Sequence, residues 1–210
     1  MVVLFDLGGV VVDVDLNWSR VAWAATTGTS HTDFDRVFLD SGIKDQIDRG
    51  EMSESEALAR IRELHSGAIE DHQIRHCWTS CLRTRPYSTQ LVHAVARRSR
   101  CAVLSNTDPI YSAWIEEQSE IRDAISRWFY SYQCGSMKPE PRIFEVTLQT
   151  LGVSAEEALL IDDREENIAA AQRLGMETIH YTSFESVCEG LAGRDLIPAN
   201  WLSTQAASES

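Results

Sequence analysis

The sequence predicts an α/β fold, a doubly wound parallel sheet interrupted near its start by a helical insertion. Two observations carry this expectation. From Pro86 onward, short apolar runs bounded by turn residues alternate with helix-period segments of about ten residues, the rhythm of a parallel sheet with helical crossovers. Between about Asn17 and Arg85 the texture differs: helix-period segments follow one another, separated by Gly28, Gly42, Gly50 and Gly67, with few strand signals.

The elements follow in order. Val2 to Phe5 is a β-branched run ending at Asp6, and Gly8 and Gly9 then turn the chain before a second apolar run, Val10 to Val12. In the insertion, Phe34, Val37 and Phe38 share one face. Ser53 with Glu56 forms a capping box for a helix carrying Ala57, Leu58, Ile61 and Leu64 on one side. Ser88 is expected to cap a helix holding Leu91, Val92 and Val95. Cys101 to Leu104, Trp128 to Tyr130, Ala158 to Ile161 and Glu177 to Tyr181 read as strands. Pro139 is expected to open a helix at its first position, and Glu165 to Leu174 forms another, stopped by Gly175. The tail, residues 203–210, is rich in Ser, Ala and Gln and is expected to be disordered.

The chain has 210 residues, 43% hydrophobic and 24% charged, a globular composition. One domain of this length removes roughly 70% of its unfolded surface from water, so no disulfide scaffold is needed. With 19 basic and 32 acidic residues the net charge is −13, which repels phosphate backbones and anionic lipid surfaces. Neither nucleic acid nor membrane is expected as a partner. Cys77, Cys81, Cys101, Cys134 and Cys188 lack zinc spacing and are read as small apolar fillers. The opening apolar run is short, has no basic leader and is broken by Asp6, so no signal peptide is expected and the expected address is cytoplasmic.

Ligands of an open parallel sheet sit beyond the carboxyl ends of its strands. Four polar clusters fall there or at a helix start: Asp6; Ser105 with Asn106; Lys138 with Pro139; Asp162 with Asp163. Each alone fits a turn or cap. Together they offer carboxylates, a hydroxyl and an ammonium to one crevice, a set that suits a metal and a phosphate.

These clusters, in this order, resemble the four motifs of the haloacid dehalogenase superfamily: Phe5-Asp6-Leu7-Gly8-Gly9-Val10, Leu104-Ser105-Asn106-Thr107, Met137-Lys138-Pro139, and Ile161-Asp162-Asp163 continuing through Asn167 to Leu174-Gly175-Met176. The resemblance covers nearly the whole chain. It implies a Rossmann-like core domain over residues 1–16 and 86–202, with residues 17–85 as an all-helical cap of the C1 type. By that resemblance Asp6 is the nucleophile, forming an aspartyl phosphate that water hydrolyses. Mg²⁺ would sit on Asp6, the Gly8 carbonyl and Asp163, supported by Asp162 and Asn167, with Asp163 in register with the family's metal ligand. Ser105, the Asn106 backbone amide and Lys138 would hold the phosphoryl oxygens.

One position departs from the pattern. Phosphatases of the superfamily usually carry a second Asp two residues after the nucleophile as general acid, and here that residue is Gly8. Its loss typically costs about 10² to 10⁴ in rate. The expected substrate is therefore a small phosphorylated metabolite whose leaving group departs easily, a sugar 1-phosphate, and the chain resembles the bacterial α-D-glucose-1-phosphate phosphatase-like subgroup here and in the second and fourth motifs. Two alternatives stand beside it: a degenerate member that binds a phosphorylated ligand or a partner without turnover, favoured by Gly8, and a 2-haloacid dehalogenase, opposed by the Asp162-Asp163 pair. Asp13 and Asp15 are candidate replacements for the missing acid, though turn and cap roles also fit. Trp18, Arg20, Trp23, Lys44, Asp45 and Arg49 are candidates for setting specificity. The sequence does not determine the oligomeric state.

Overall fold

The computed structural model describes residues 1–118 and 120–208. In chain order the strands and α-helices are β1 (Val2–Phe5), β2 (Val12–Val14), α1 (Leu16–Thr27), α2 (His31–Phe34), α3 (Ile43–Asp48), α4 (Glu54–Leu64), α5 (Asp71–Thr79), β3 (Leu82–Thr84), α6 (Pro86–Ala96), β4 (Arg100–Ser105), α7 (Pro109–Gln118), β5 (Ile125–Tyr130), α8 (Ser131–Cys134), α9 (Pro141–Leu151), β6 (Ala158–Asp162), α10 (Glu165–Arg173), β7 (Glu177–His180), α11 (Phe184–Ala192) and α12 (Trp201–Ser208). A π-helical turn, Asp35–Leu39, continues α2.

Five strands form one sheet in the order β5-β4-β1-β6-β7, and every pair in it is parallel. A parallel sheet needs both faces covered, and its strands show it. Val3 and Phe5 belong to the apolar cluster on one side and Val2 and Leu4 to the cluster on the other, so the period-2 alternation of β1 feeds two cores at once. β1 lies at the centre, between β4 and β6, which places Asp6 between the ends of its two neighbours.

The helices between β2 and β3 keep a core of their own. Trp23, Phe34, Val37, Phe38, Ile61 and Trp78 belong to a third cluster, which includes Ile110 from α7. Trp23 meets Phe38 edge-on at 5.0 Å, and Phe34 stacks on Phe38 at 4.4 Å. The capping box at Ser53 and Glu56 is present, as expected.

The structure departs from the sequence expectations at four boundaries. Residues 82–84, placed in the helical stretch, form β3, antiparallel to β2. Ser88 does not cap α6; Pro86 takes the first helical position, and the Ser88 hydroxyl donates to the Val10 carbonyl at 2.8 Å. Pro139 does not open a helix either. It follows a cis Lys138–Pro139 peptide, and α9 begins at Pro141, because the Glu140 amide closes a turn onto the Met137 carbonyl first. Helix α12 runs through Ser208 where a disordered tail was expected from Ser203; residues 209 and 210 lie outside the described residues. All five cysteines are free, and no helix among the described residues is long and apolar enough to cross a membrane.

A buried polar knot ties the helical segment to the sheet. The Lys44 ammonium on α3 donates to both oxygens of Asp48, at 2.5 and 2.6 Å, and lies 3.1 Å from Oδ2 of Asp108, just past β4. The Trp78 indole also donates to Asp108 Oδ2, at 3.1 Å, while Oδ1 accepts from the Ile110 and Tyr111 amides at 2.8 Å and caps α7. Burial alone would lower the Lys44 pKa, but Asp108 and Asp48 more than offset it and hold the pKa above its ordinary value. A second tie crosses nearer the surface, from Arg49 to Glu140 at 2.6 Å. Asp108→Ala strips Lys44 and Trp78 of a partner inside the protein, a change that costs about 3 kcal/mol or more. We expect a fall in Tm on the order of 10 °C in a thermal melt; an unchanged Tm would show that Asp108 does not anchor the helices.

Candidate active site

The site is built from strand ends. Asp6 follows β1, Ser105 ends β4, Asp162 ends β6, and Lys138 lies in the loop before α9. Asp6, Gly8, Ser105, Asn106, Lys138, Asp163 and Asn167 all line one cavity of about 450 Å³. All the expected residues except the fully buried Asp162 thus line one crevice.

Lys138 is 3% exposed and lies at the floor of that crevice. Its ammonium donates to Asp162 Oδ2 at 2.6 Å and lies 3.1 Å from Asp6 Oδ1. Burial pulls its pKa down, yet Asp6 and Asp162 together hold it above the ordinary lysine value. Asn106 fixes the loop that carries it: the side-chain amide donates to the Lys138 carbonyl at 2.7 Å, and its oxygen accepts from the Lys138 amide at 2.8 Å. The Asn106 side chain is therefore engaged in positioning Lys138, and its backbone amide is the group left for a ligand.

The two adjacent aspartates divide the work. Asp162 is fully buried, with Oδ2 taken by Lys138 and Oδ1 accepting from the Arg164 amide and from Asn167 Nδ2, both at 2.9 Å. Asp163 is exposed and faces the cavity. Burial, with the Asp162 charge added, raises its pKa. Asp6 accepts from the Leu7 amide at 2.7 Å, and burial, partly offset by Lys138, pushes its carboxyl up to about 6.

Oxygen atoms of Asp6, Asp162 and Asp163 lie within 4.8 Å of one another. Three carboxylates face one ammonium, so the cluster carries an excess of negative charge in a low-dielectric setting. Asn167 Oδ1 is buried beside it with no hydrogen-bond partner among the described residues. An all-oxygen set with surplus charge and a spare acceptor suits a hard divalent cation.

Two residues outside the expected site set support this geometry. Gly9 sits at φ +77°, which favours glycine, and a Cβ there would fall 2.1 Å from Asp163 Oδ2, so a side chain at position 9 would displace the Asp163 carboxylate. Its signal was the Gly8-Gly9 pair, but nothing local says which glycine is required. His180 Nε2 on β7 donates to the Asp163 carbonyl at 3.0 Å, a contact made across the sheet.

The remaining candidates mostly serve structure. Asp15 caps α1, accepting from the Asn17 amide at 2.9 Å, and Asp13 is held by Arg85 at 2.5 Å. Trp23 is fully buried in the helical core. Arg20 pairs with Asp35, and Asp45 with Arg49. Of the six specificity candidates, Trp18 lines the polar cavity and Lys44 lines a second one. That second cavity, about 280 Å³, borders the first at Gly8, Val14, Ser105 and Asn106.

Residues 1–175 match the family of haloacid dehalogenase-like hydrolases. D-ribitol-5-phosphate phosphatase of Bacteroides thetaiotaomicron is 26% identical over 188 residues, covering 84% of this chain and 89% of that protein. Sesquiterpene phosphatase astK of Aspergillus oryzae is 23% identical over 192 residues, covering 88% and 91%. Among solved structures, the HAD family enzyme bt-2542 of Bacteroides thetaiotaomicron, in complex with magnesium and inorganic phosphate, matches with a TM-score of 0.78 at 27% identity, covering 89% of this chain and 98% of that one. With five parallel strands, the four polar clusters gathered in one crevice and a match over most of its length, the chain belongs to the haloacid dehalogenase-like hydrolases.

Proposed function

We propose that the protein hydrolyses a small phosphomonoester through an aspartyl phosphate on Asp6, with Mg²⁺ as cofactor and residues 17–85 acting as a cap over the crevice. The observation that carries this reading is the Asp6-Lys138-Asp162 contact set beside Asp163, with Lys138 Nζ 3.1 Å from Asp6. Phosphatases acting on a polyol phosphate and on a sesquiterpene phosphate are both among the relatives, and one relative binds magnesium with phosphate. These support phosphomonoester chemistry on small metabolites.

In this reading an Asp6 oxygen attacks phosphorus opposite the leaving oxygen, and the bond to the leaving group breaks. Lys138 has three N–H donors, two of them directed at Asp6 and Asp162, and the third can reach a phosphoryl oxygen. The Ser105 hydroxyl and the Asn106 amide would take others, matching the charge spread over the equatorial oxygens. A bound Mg²⁺, held by Asp6, the Gly8 carbonyl and Asp163 with Asp162 and Asn167 in support, would supply further neutralisation of that charge. Water then attacks the phosphoaspartate, releasing inorganic phosphate and regenerating Asp6.

Gly8 favours one second reading, ligand binding without turnover. The backbone leaves room for a Cβ there, which would meet only Val14 Cγ2, at 3.4 Å.

Three outcomes test the proposal. Asp6→Asn should lower Mg²⁺-dependent phosphate release by ~10⁴-fold or more; release at the native rate rejects the nucleophile. Gly9→Ala forces Asp163 away, so the Mg²⁺ concentration for half-maximal activity should rise ~10-fold or more, and an unchanged Mg²⁺ requirement removes Asp163 from the cation site. Gly8→Asp should raise kcat on an alkyl phosphate by ~10²-fold. No gain would mean that proton delivery is not what limits the native protein.

A further inference from the structure

The second cavity and the proton inventory around the crevice narrow the substrate of the proposed reaction. The cavity is walled by Leu16, Phe34, Phe38, Leu39, Trp78 and Ile115 among others, with side chains from the helical segment facing side chains from the core. Its polar groups are mostly committed. Lys44 gives its protons to Asp48 and Asp108, the Tyr111 hydroxyl lies 2.9 Å from Cys81 Sγ, and the Asn106 side chain is paired with the Lys138 backbone. Thr107 Oγ1, buried and with no hydrogen-bond partner among the described residues, is one hydroxyl left over.

A sugar placed here would bring a hydroxyl on nearly every carbon, and each one buried without a partner costs roughly 1–3 kcal/mol. An aromatic ring brings none. A cavity of ~150 Å³ already holds benzene, so about 280 Å³ holds one substituted ring.

Proton supply points the same way. Asp13 is bound to Arg85 and Asp15 caps α1. Asp6 and Asp163 belong to the nucleophile and cation site. Lys138 is shared between two carboxylates, and Lys44 lies among three carboxylate oxygens. Arginine does not give up its proton. Among the described residues lining the two cavities, every carboxyl, ammonium and guanidinium group is thus engaged or assigned, and what remains are the hydroxyls of Ser105, Thr107 and Tyr111, which are no more acidic than a phenol. The leaving group must then depart as an anion. Phenols ionise near ~10, as tyrosine does, whereas aliphatic hydroxyls resemble water at about 15.7.

We infer that the substrate is an aryl phosphate, whose ring occupies the apolar cavity beside Gly8 and Val14 and whose phenolate leaves without protein protonation. This rests on the phosphomonoester hydrolase reading above. In the step, the bond from Asp6 oxygen to phosphorus forms, the bond from phosphorus to the aryl oxygen breaks, and the electron pair stays on that oxygen, which takes a proton from solvent water. Hydrolysis of the phosphoaspartate follows, so the net change is aryl phosphate plus water to phenol plus inorganic phosphate.

The test is a panel with Mg²⁺: substituted phenyl phosphates, hexyl phosphate, glucose 1-phosphate and acetyl phosphate, on the native protein and on Val14→Trp, which fills the cavity mouth from a half-exposed position. We expect kcat/KM for phenyl phosphate to exceed that for hexyl phosphate ~100-fold and for glucose 1-phosphate ~10-fold, and to rise as the phenol becomes more acidic. Val14→Trp should lower kcat/KM for phenyl phosphate at least ~10-fold more than for acetyl phosphate. Glucose 1-phosphate or hexyl phosphate turned over as well as phenyl phosphate, or no dependence on phenol acidity, overturns the aryl assignment and leaves the hydrolase intact. No turnover of any member of the panel, the acyl phosphate included, instead overturns the hydrolase reading. The cavity is then read by calorimetry, where phenylphosphonate binding ~10-fold tighter than methylphosphonate, with the preference lost in Val14→Trp, supports the aryl site and equal binding rejects it.

Discussion

The structure of this crevice depends on one buried ammonium. Lys138 is 3% exposed, and a lysine so placed is tolerated only with compensating charge. Asp6, at 3.1 Å, and Asp162, itself fully buried and at 2.6 Å, provide it together. That requirement fixes the loop before α9 against the ends of β1 and β6, and Asn106 holds the same loop from the end of β4. Three chain segments are brought within a few ångströms by one charge. A third carboxylate, Asp163, is left facing the cavity, while Asp162 spends both its oxygens on internal donors.

Much of this was legible in the sequence because the information is local. The strands announce themselves through β-branched runs, and Asp6, Ser105 and Asp162 follow or end them directly. What was hidden depends on contacts distant in sequence. Pro139 has the composition of a helix start, yet its neighbour's backbone is tied to Asn106, which no local pattern reveals. Ser88 resembles a cap and instead bonds Val10, a partner far away in sequence. β3 has three residues, two of them exposed, so it carries too little apolar period to distinguish it from the end of a helix.

The knot of Lys44, Asp48 and Asp108 is the clearest case of such hidden structure. Lys44 and Asp48 look like an ordinary exposed i,i+4 pair on α3. Only the fold brings Asp108 from the end of β4 beneath them, turning a surface pair into a buried cluster and pushing the Asp48 carboxyl up to about 6 because burial outweighs the attraction of Lys44. The same cluster engages the Lys44 ammonium with two carboxylates, while its side chain still lines the apolar cavity. A residue read as a candidate for setting specificity thus also joins the helical segment to the sheet.

Gly8 and Gly9 show why adjacent identical residues can answer to different constraints. Gly9 is favoured by backbone geometry: its φ is +77°, and a Cβ there would fall 2.1 Å from Asp163 Oδ2 and displace that carboxylate. Gly8 is under no such demand, since a Cβ there would meet Val14 at 3.4 Å, an ordinary contact distance. The absence of a side chain at position 8 is therefore not forced by the fold. Gly8 lines both the polar and the apolar cavity, at the place where, on the proposed reading, the leaving group would lie. On that reading, the chain gives up an acid at that position and gains an apolar berth behind the phosphoryl site, an exchange that favours substrates whose leaving oxygen needs no proton.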